Sequence, residues 1–248
     1  MGAFYFAPEF NPFFTQTSNN PMLKLSKFLF TAALAFATFA VTAQVQISVG
    51  PRVGVNLAKW SVDSEFEEEI GDLSNRLGFL AGAVAEIRFN ENLAIQPEIN
   101  FIQKGFKTEF AVSDTLFGDY SGETNAIFNY LEVPVMLKVG KSFGAARLDV
   151  LAGPSFGYAM NGKVKYKETF GGETMEDEED IDFDDDEINR LDFGVQVGAA
   201  VTFGLGNANL FIDGRYLLGL SNLNDSGDDE FKANNRGIAI SAGVLFPL

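Results

Sequence analysis

The stretch QISVGPRVGVNL, Gln46–Leu57, sets an apolar residue at nearly every second position: Ile47, Val49, Val53, Val55 and Leu57. Between them stand Gln46, Ser48, Gly50, Arg52, Gly54 and Asn56. A period of two puts these sets on opposite faces of a β-strand. Which face meets water decides the fold.

The same period recurs in about eight segments, near residues 46–58, 77–89, 93–107, 125–139, 146–160, 188–204, 209–220 and 236–248. Each is about 12 to 17 residues long, generous for a strand of a water-soluble domain and enough to cross a bilayer at a tilt. In the second, Leu77, Phe79, Ala81, Ala83, Ala85, Ile87 and Phe89 oppose Gly78, Gly82, Glu86 and Arg88. In the sixth, Leu191, Phe193, Val195, Val197, Ala199, Val201 and Phe203 oppose Arg190, Asp192, Gly194, Gln196, Gly198 and Thr202.

Short connections at Asn90–Asn92, Gly140–Ala145 and Leu205–Ala208 alternate with long polar ones near 59–76, 108–124, 161–187 and 221–235. Tight turns at one end and long loops at the other predict an all-β protein, an eight-stranded antiparallel up-and-down transmembrane β-barrel. The expected location is the outer membrane, with both chain ends periplasmic and the long loops extracellular.

A soluble lipocalin-like carrier would alternate too, with its apolar face turned inward. The polar face here carries Arg52, Glu86, Arg88, Glu98, Lys104, Glu132, Lys138, Arg147, Asp149, Arg190, Asp192, Asp213 and Arg215. Gly50, Gly54, Gly78, Gly82, Gly153, Gly157, Gly194, Gly198 and Gly243 share it. Small residues make room for long charged ones inside a narrow barrel, whereas glycine on the outer face of a soluble strand would only weaken it. On the apolar face, Phe79, Phe89, Phe156, Tyr158, Phe203, Tyr216 and Phe246 gather near segment ends, as interfacial girdles do. Leu80, Val84, Phe128, Leu151 and Phe211 break the pattern and predict a partly apolar interior.

The 248 residues include no cysteine and no histidine. Disulfides, thiolate metal sites, Ser-His and Cys-His catalysis and an imidazole proton shuttle are thereby excluded. A net charge of −16 argues against a nucleic-acid partner. From Met22 the chain reads MLKLSKFLFTAALAFATFAVTAQ, a basic start, an apolar run and Val41-Thr42-Ala43 before Gln44. That pattern predicts a signal peptide over 22–43, too short in its apolar part for a spanning helix. Residues 1–21 are then expected to be a start-site extension and 44–248 the barrel domain, with no peptidoglycan-binding domain expected after it. Loss of Glu9, Lys24 and Lys27 would leave the mature chain one unit more negative.

The stretches GPRVGVNLAKW (50–60), IQPEINFIQKGF (95–106), NYLEVPVMLKV (129–139), LAGPSFGY (151–158), DFGVQVGAAVTF (192–203) and RYLLGLSNL (215–223) resemble the outer-membrane β-barrel domain proteins of the porin-family or PorT-like type. The resemblance covers essentially the mature chain. The closing GVLFPL is similar to the C-terminal signal read by the barrel-assembly machinery, with Leu248 in place of the commoner aromatic ending. It implies a shared barrel, no particular reaction, and an accessory role in type IX secretion as one alternative.

MEDEEDIDFDDDE, 175–187, is the densest charge run, within the longest expected loop. Asp180, Asp182 and Asp184 alternate as divalent-cation ligands would. An EF-hand register from Asp180 fails, because its sixth and twelfth places are Asp185 and Leu191. The expectation is a solvated acidic surface loop that bridges divalent ions loosely at most. Asp149 and Asp192 are the carboxylates considered for acid-base work, but no spacing selects them.

The expected protein is therefore not an enzyme and has no catalytic, cofactor-binding or metal site. Its role is structural or surface interaction, with paired charges plugging the lumen; a small-solute porin is the alternative. Its expected surroundings are outer-membrane lipid and lipopolysaccharide. No oligomeric state is legible.

Overall fold

A computed structural model describes residues 45–62, 73–114, 118–224 and 232–248. The expected start-site extension and signal peptide lie outside these residues. Chain contacts divide the protein into Met1–Ala43 and Gln44–Leu248, and every described residue belongs to the second unit.

The described residues form ten strands: β1 (Gln46–Val62), β2 (Leu73–Ser74), β3 (Arg76–Arg88), β4 (Leu93–Asp114), β5 (Gly118–Phe143), β6 (Ala146–Phe170), β7 (Glu173–Asp180), β8 (Leu191–Leu205), β9 (Ala208–Gly219) and β10 (Ala233–Pro247). Eight of them pair in a ring. The order β4-β3-β1-β10-β9-β8-β6-β5 closes by antiparallel pairing of β5 with β4. Each barrel strand neighbours the one before and after it in the chain, and the first and last meet along Ser48↔Pro247 to Val62↔Ala233. The short β2 joins β4, and β7 joins β6.

Closure leaves no free edge within the barrel wall, so the backbone is satisfied without water. The outer face is apolar all the way round: Val53 is 63% exposed, Leu77 65%, Phe156 63% and Ile240 54%. So large an exposed apolar surface is at home in hydrocarbon and not in water. Arg52 and Asn56 lie inside at 2% and 1% exposure. The alternation of Gln46–Leu57 thus faces lipid with Ile47, Val49, Val53 and Val55 and the lumen with Arg52 and Asn56, the reverse of a lipocalin. Leu80, Val84, Phe128, Leu151 and Phe211 are buried in the interior, as their parity requires.

Two Gly-Pro pairs shape the wall. Against β10 the ladder runs to Val49↔Phe246 and resumes at Arg52↔Gly243, passing over Gly50-Pro51. Against β5 it stops at Pro134↔Ser155 and resumes at Leu137↔Ala152, passing over Gly153-Pro154. Proline cannot donate to a ladder, so it sits where the pairing lapses. Beside it the strands approach so closely that a Cβ at Gly50 or Gly153 would overlap the carbonyl of Val244 or Val135.

The long connections differ most from expectation. The 108–124 stretch is largely the paired ends of β4 and β5, registered as Thr108↔Thr124 through Asp114↔Gly118. In 161–187, β6 continues to Phe170, turns at Gly171-Gly172 with both residues at positive φ, and returns as β7. A two-glycine turn of this kind suits the twist of a tight hairpin. These extensions are held by cross-strand contacts: Lys165 to Glu178 at 2.7 Å, Lys167 to Glu176 at 3.2 Å, and Phe110–Tyr120–Phe170 ring contacts at 5.3 and 6.5 Å.

Candidate functional site

Strand alternation delivers charged side chains to the lumen from every barrel strand but β10, which supplies Asn235 and Ser241, and the register sets them at matching heights. At mid-barrel Glu98 of β4 accepts from Arg52 of β1 and from Arg215 of β9, the latter at 2.7 and 3.1 Å. Asp213 accepts from Arg215 at 2.8 Å and Arg52 at 3.1 Å. Ser241 of β10 completes the ring, accepting from Arg52 at 2.6 Å and donating to Asp213 at 2.9 Å. Gln96 and Asn100 donate to the remaining Glu98 lone pairs at 2.6 and 2.9 Å. The four charged side chains are at most 1% exposed, so two cations and two anions neutralise one another out of water.

Toward the loop end, Lys104 donates to Glu132 at 2.7 Å and Asp192 at 2.9 Å, with its ammonium 4.9 Å from the centre of the Tyr130 ring. Asn235 bridges Asp192 at 2.9 Å and Tyr130 at 3.4 Å. Gln196, within reach of both Glu132 (3.1 Å) and Arg215 (3.4 Å), links this cluster to the central ring. Toward the turn end, Lys138 donates to Glu86 at 2.6 Å and Arg147 pairs with Asp149 at 2.7 Å.

The lumen is therefore layered. Against the Lys104 cluster lies a small cavity of about 10 Å³, lined by Lys104, Glu132, Asp192 and Asn235 among others, with room for roughly one water. At the turn end it opens into a polar vestibule of about 560 Å³ lined by Arg88, Lys141 and Arg147 among others. At the loop end an apolar cluster of Leu80, Ile102, Phe128, Tyr130, Phe183 and Leu217 crosses the barrel. Phe183 reaches it from the turn after β7, meeting Phe128 edge-on at 6.1 Å, and is 3% exposed.

Of the thirteen charged residues expected to face the lumen, Arg88 is only partly buried, near the turn end, and Arg190 lies at the mouth over the Phe183 ring at 4.2 Å. The others are buried. Asp149 and Asp192 do not meet. Asp192 stands opposite Gly157, eight residues along β6 from Asp149, which separates them by roughly 25 Å.

The acidic run is exposed as expected, but its first half is the strand β7. Glu178 is held down at about 2 by hydrogen bonds from Lys163 and Lys165, and Lys163 is raised in turn. In the second half Asp182 Oδ1 accepts from the Asp184 and Asp185 amides at 3.1 and 3.4 Å, while its own amide donates to Asp186 at 3.0 Å. That carboxylate shapes the turn that carries Phe183 inward. Asp180, Asp182 and Asp184 are not gathered: among the described residues no group of three or more acids is placed to hold a metal.

Sequence reasoning placed Gln196 on the inward face but missed the uncharged partners Ser241, Gln96, Asn100 and Asn235, and the aromatic mouth around Trp60, Phe106 and Phe183. Parity alone would have found Trp60, which shares the inward face of β1 with Arg52 and Asn56.

A closed ring of eight antiparallel strands with an apolar exterior and a charged interior defines a membrane-spanning β-barrel. The chain belongs to the outer membrane protein beta-barrel domain family, whose profile matches residues 42–225. No curated protein matches it. Among solved structures it is similar to Neisserial surface protein A, at 15% identity over 80% of this chain and 96% of that one (TM-score 0.41). OprG from Pseudomonas aeruginosa is similar at 11% identity over 83% and 96% (TM-score 0.39). Ail from Yersinia pestis is similar at 13% identity over 82% and 99% (TM-score 0.34).

Proposed function

We propose that this outer-membrane barrel is a closed anchor, non-conducting and non-catalytic, that presents an acidic sheet extension at the cell surface for interaction. One observation carries the reading: buried, mutually paired charges cross the lumen at three heights, from Lys138–Glu86 through Arg215–Glu98 to Lys104–Glu132 and Asp192. A hydrated ion needs a continuous polar path, and here each charge is bound to its neighbours. The same feature weighs against the small-solute porin.

The chain ends and tight turns are assigned to the periplasm, the extended hairpins to the outside. In that orientation β10 offers the assembly machinery its terminal strand, lipid and lipopolysaccharide surround the apolar belt, and β7 faces the divalent ions of the outer leaflet. The accessory role in type IX secretion rests on the family resemblance alone.

Treating intact cells with a glutamate-specific protease tests location and orientation together. Cuts are expected within 175–187, with all fragments retained in the outer-membrane fraction. Cleavage that requires the envelope to be opened first would reverse the orientation.

A further inference from the structure

A cavity of about 480 Å³ lies at the loop end, beside the apolar cluster that closes the lumen. Its apolar wall includes Trp60, Phe106, Phe128 and Val164. Trp60 lies 4.6 Å from Phe106 and 5.3 Å from Phe128, ring centre to ring centre, and its buried Nε1 has no hydrogen-bond partner among the described residues. The rim is supplied by the end of β7 and the turn after it, with Glu179, Asp180 and Asp185 among five acids and no lysine or arginine lining the cavity among the described residues.

Asp180 has Lys163 at 3.6 Å, but Glu179 and Asp185 pair with no cation among the described residues. Aromatic faces and uncompensated carboxylates favour the same ligand charge. The volume is that of a small-molecule site, which spans roughly 300–1,000 Å³.

We propose that this cavity binds small organic cations with an aromatic or aliphatic body, the body against Trp60 and Phe106 and the charge toward Glu179 and Asp185. Anions of the same shape are disfavoured by the rim. The proposal gives the surface-interaction reading a ligand class, yet binding itself is measurable on purified protein whichever way the barrel faces. Failure of one is therefore distinguishable from failure of the other.

Trp60 is the chain's single tryptophan, so its fluorescence reports on this cavity alone. The full chain, folded in nonionic micelles, is titrated with 4-phenylbutylamine and with 4-phenylbutyrate. The amine is expected to give a saturable change and the carboxylate at least about tenfold weaker binding, since one opposed charge at a partly desolvated site is worth a unit or more in log affinity. Glu179→Gln/Asp185→Asn, two exposed positions, should weaken the amine severalfold, and added salt should do the same without any substitution. Equal, unsaturable responses to both probes would mean micelle partition and overturn the proposal. So would amine binding that neither the double variant nor salt weakens.

Discussion

Replacing Glu98 with glutamine is expected to lower the unfolding free energy of the barrel by about 3–5 kcal/mol, the usual cost of breaking a buried ion pair from one side. Glu98 is the shared acceptor of Arg52 and Arg215, all three sealed from solvent, and Asp213 alone cannot neutralise both guanidiniums. Glutamine keeps the shape and even part of the hydrogen bonding. What it loses is the charge. The measurement is the urea midpoint of the protein in micelles, followed through Trp60. Adding Arg215→Gln should restore much of the loss, because one cation then faces one anion, so the two effects must be strongly non-additive. A midpoint unmoved by Glu98→Gln would show that the central ring is incidental to stability.

Gly50→Val is expected to prevent closure of the barrel. A Cβ at Gly50 falls on the backbone carbonyl of Val244, in the seam where β1 meets β10, and a backbone atom cannot rotate aside as a side chain can. The penalty should exceed the roughly 1–3 kcal/mol usual for overpacking, because relief requires a change of register along the seam. Gly214→Val is the control: a Cβ there meets nothing within 4 Å among the described residues. Migration of unheated samples in SDS electrophoresis separates compact from unfolded chains. The first variant should run as the unfolded form and the second like the parent. Equal migration of both variants would contradict the assigned close approach.

The barrel was legible because its physics repeats every two residues. Burial on one side and lipid on the other select residue types position by position, so eight segments and their inward charges follow from parity. Leu80, Val84 and Phe128 look like errors in that pattern, yet they form apolar layers between and beyond the ion clusters. The extensions of β4 to β7 were not legible as strands. Much of their pairing is between charges: Lys163, Lys165 and Lys167 meet acids across the sheet, and a charge ladder reads in sequence as a solvated loop. The mouth was hidden for a different reason. Phe183 stands alone among acids, and only the turn organised by Asp182 shows that it points inward to Phe128.

The central claim is that the lumen is closed, and single-channel recording of the purified protein in a planar bilayer tests it most directly. The expected trace is flat over the whole voltage range at high salt. Steady, unitary conductance of the unaltered protein would contradict the account, and the charges of the lumen would then have to be read as the lining of a path.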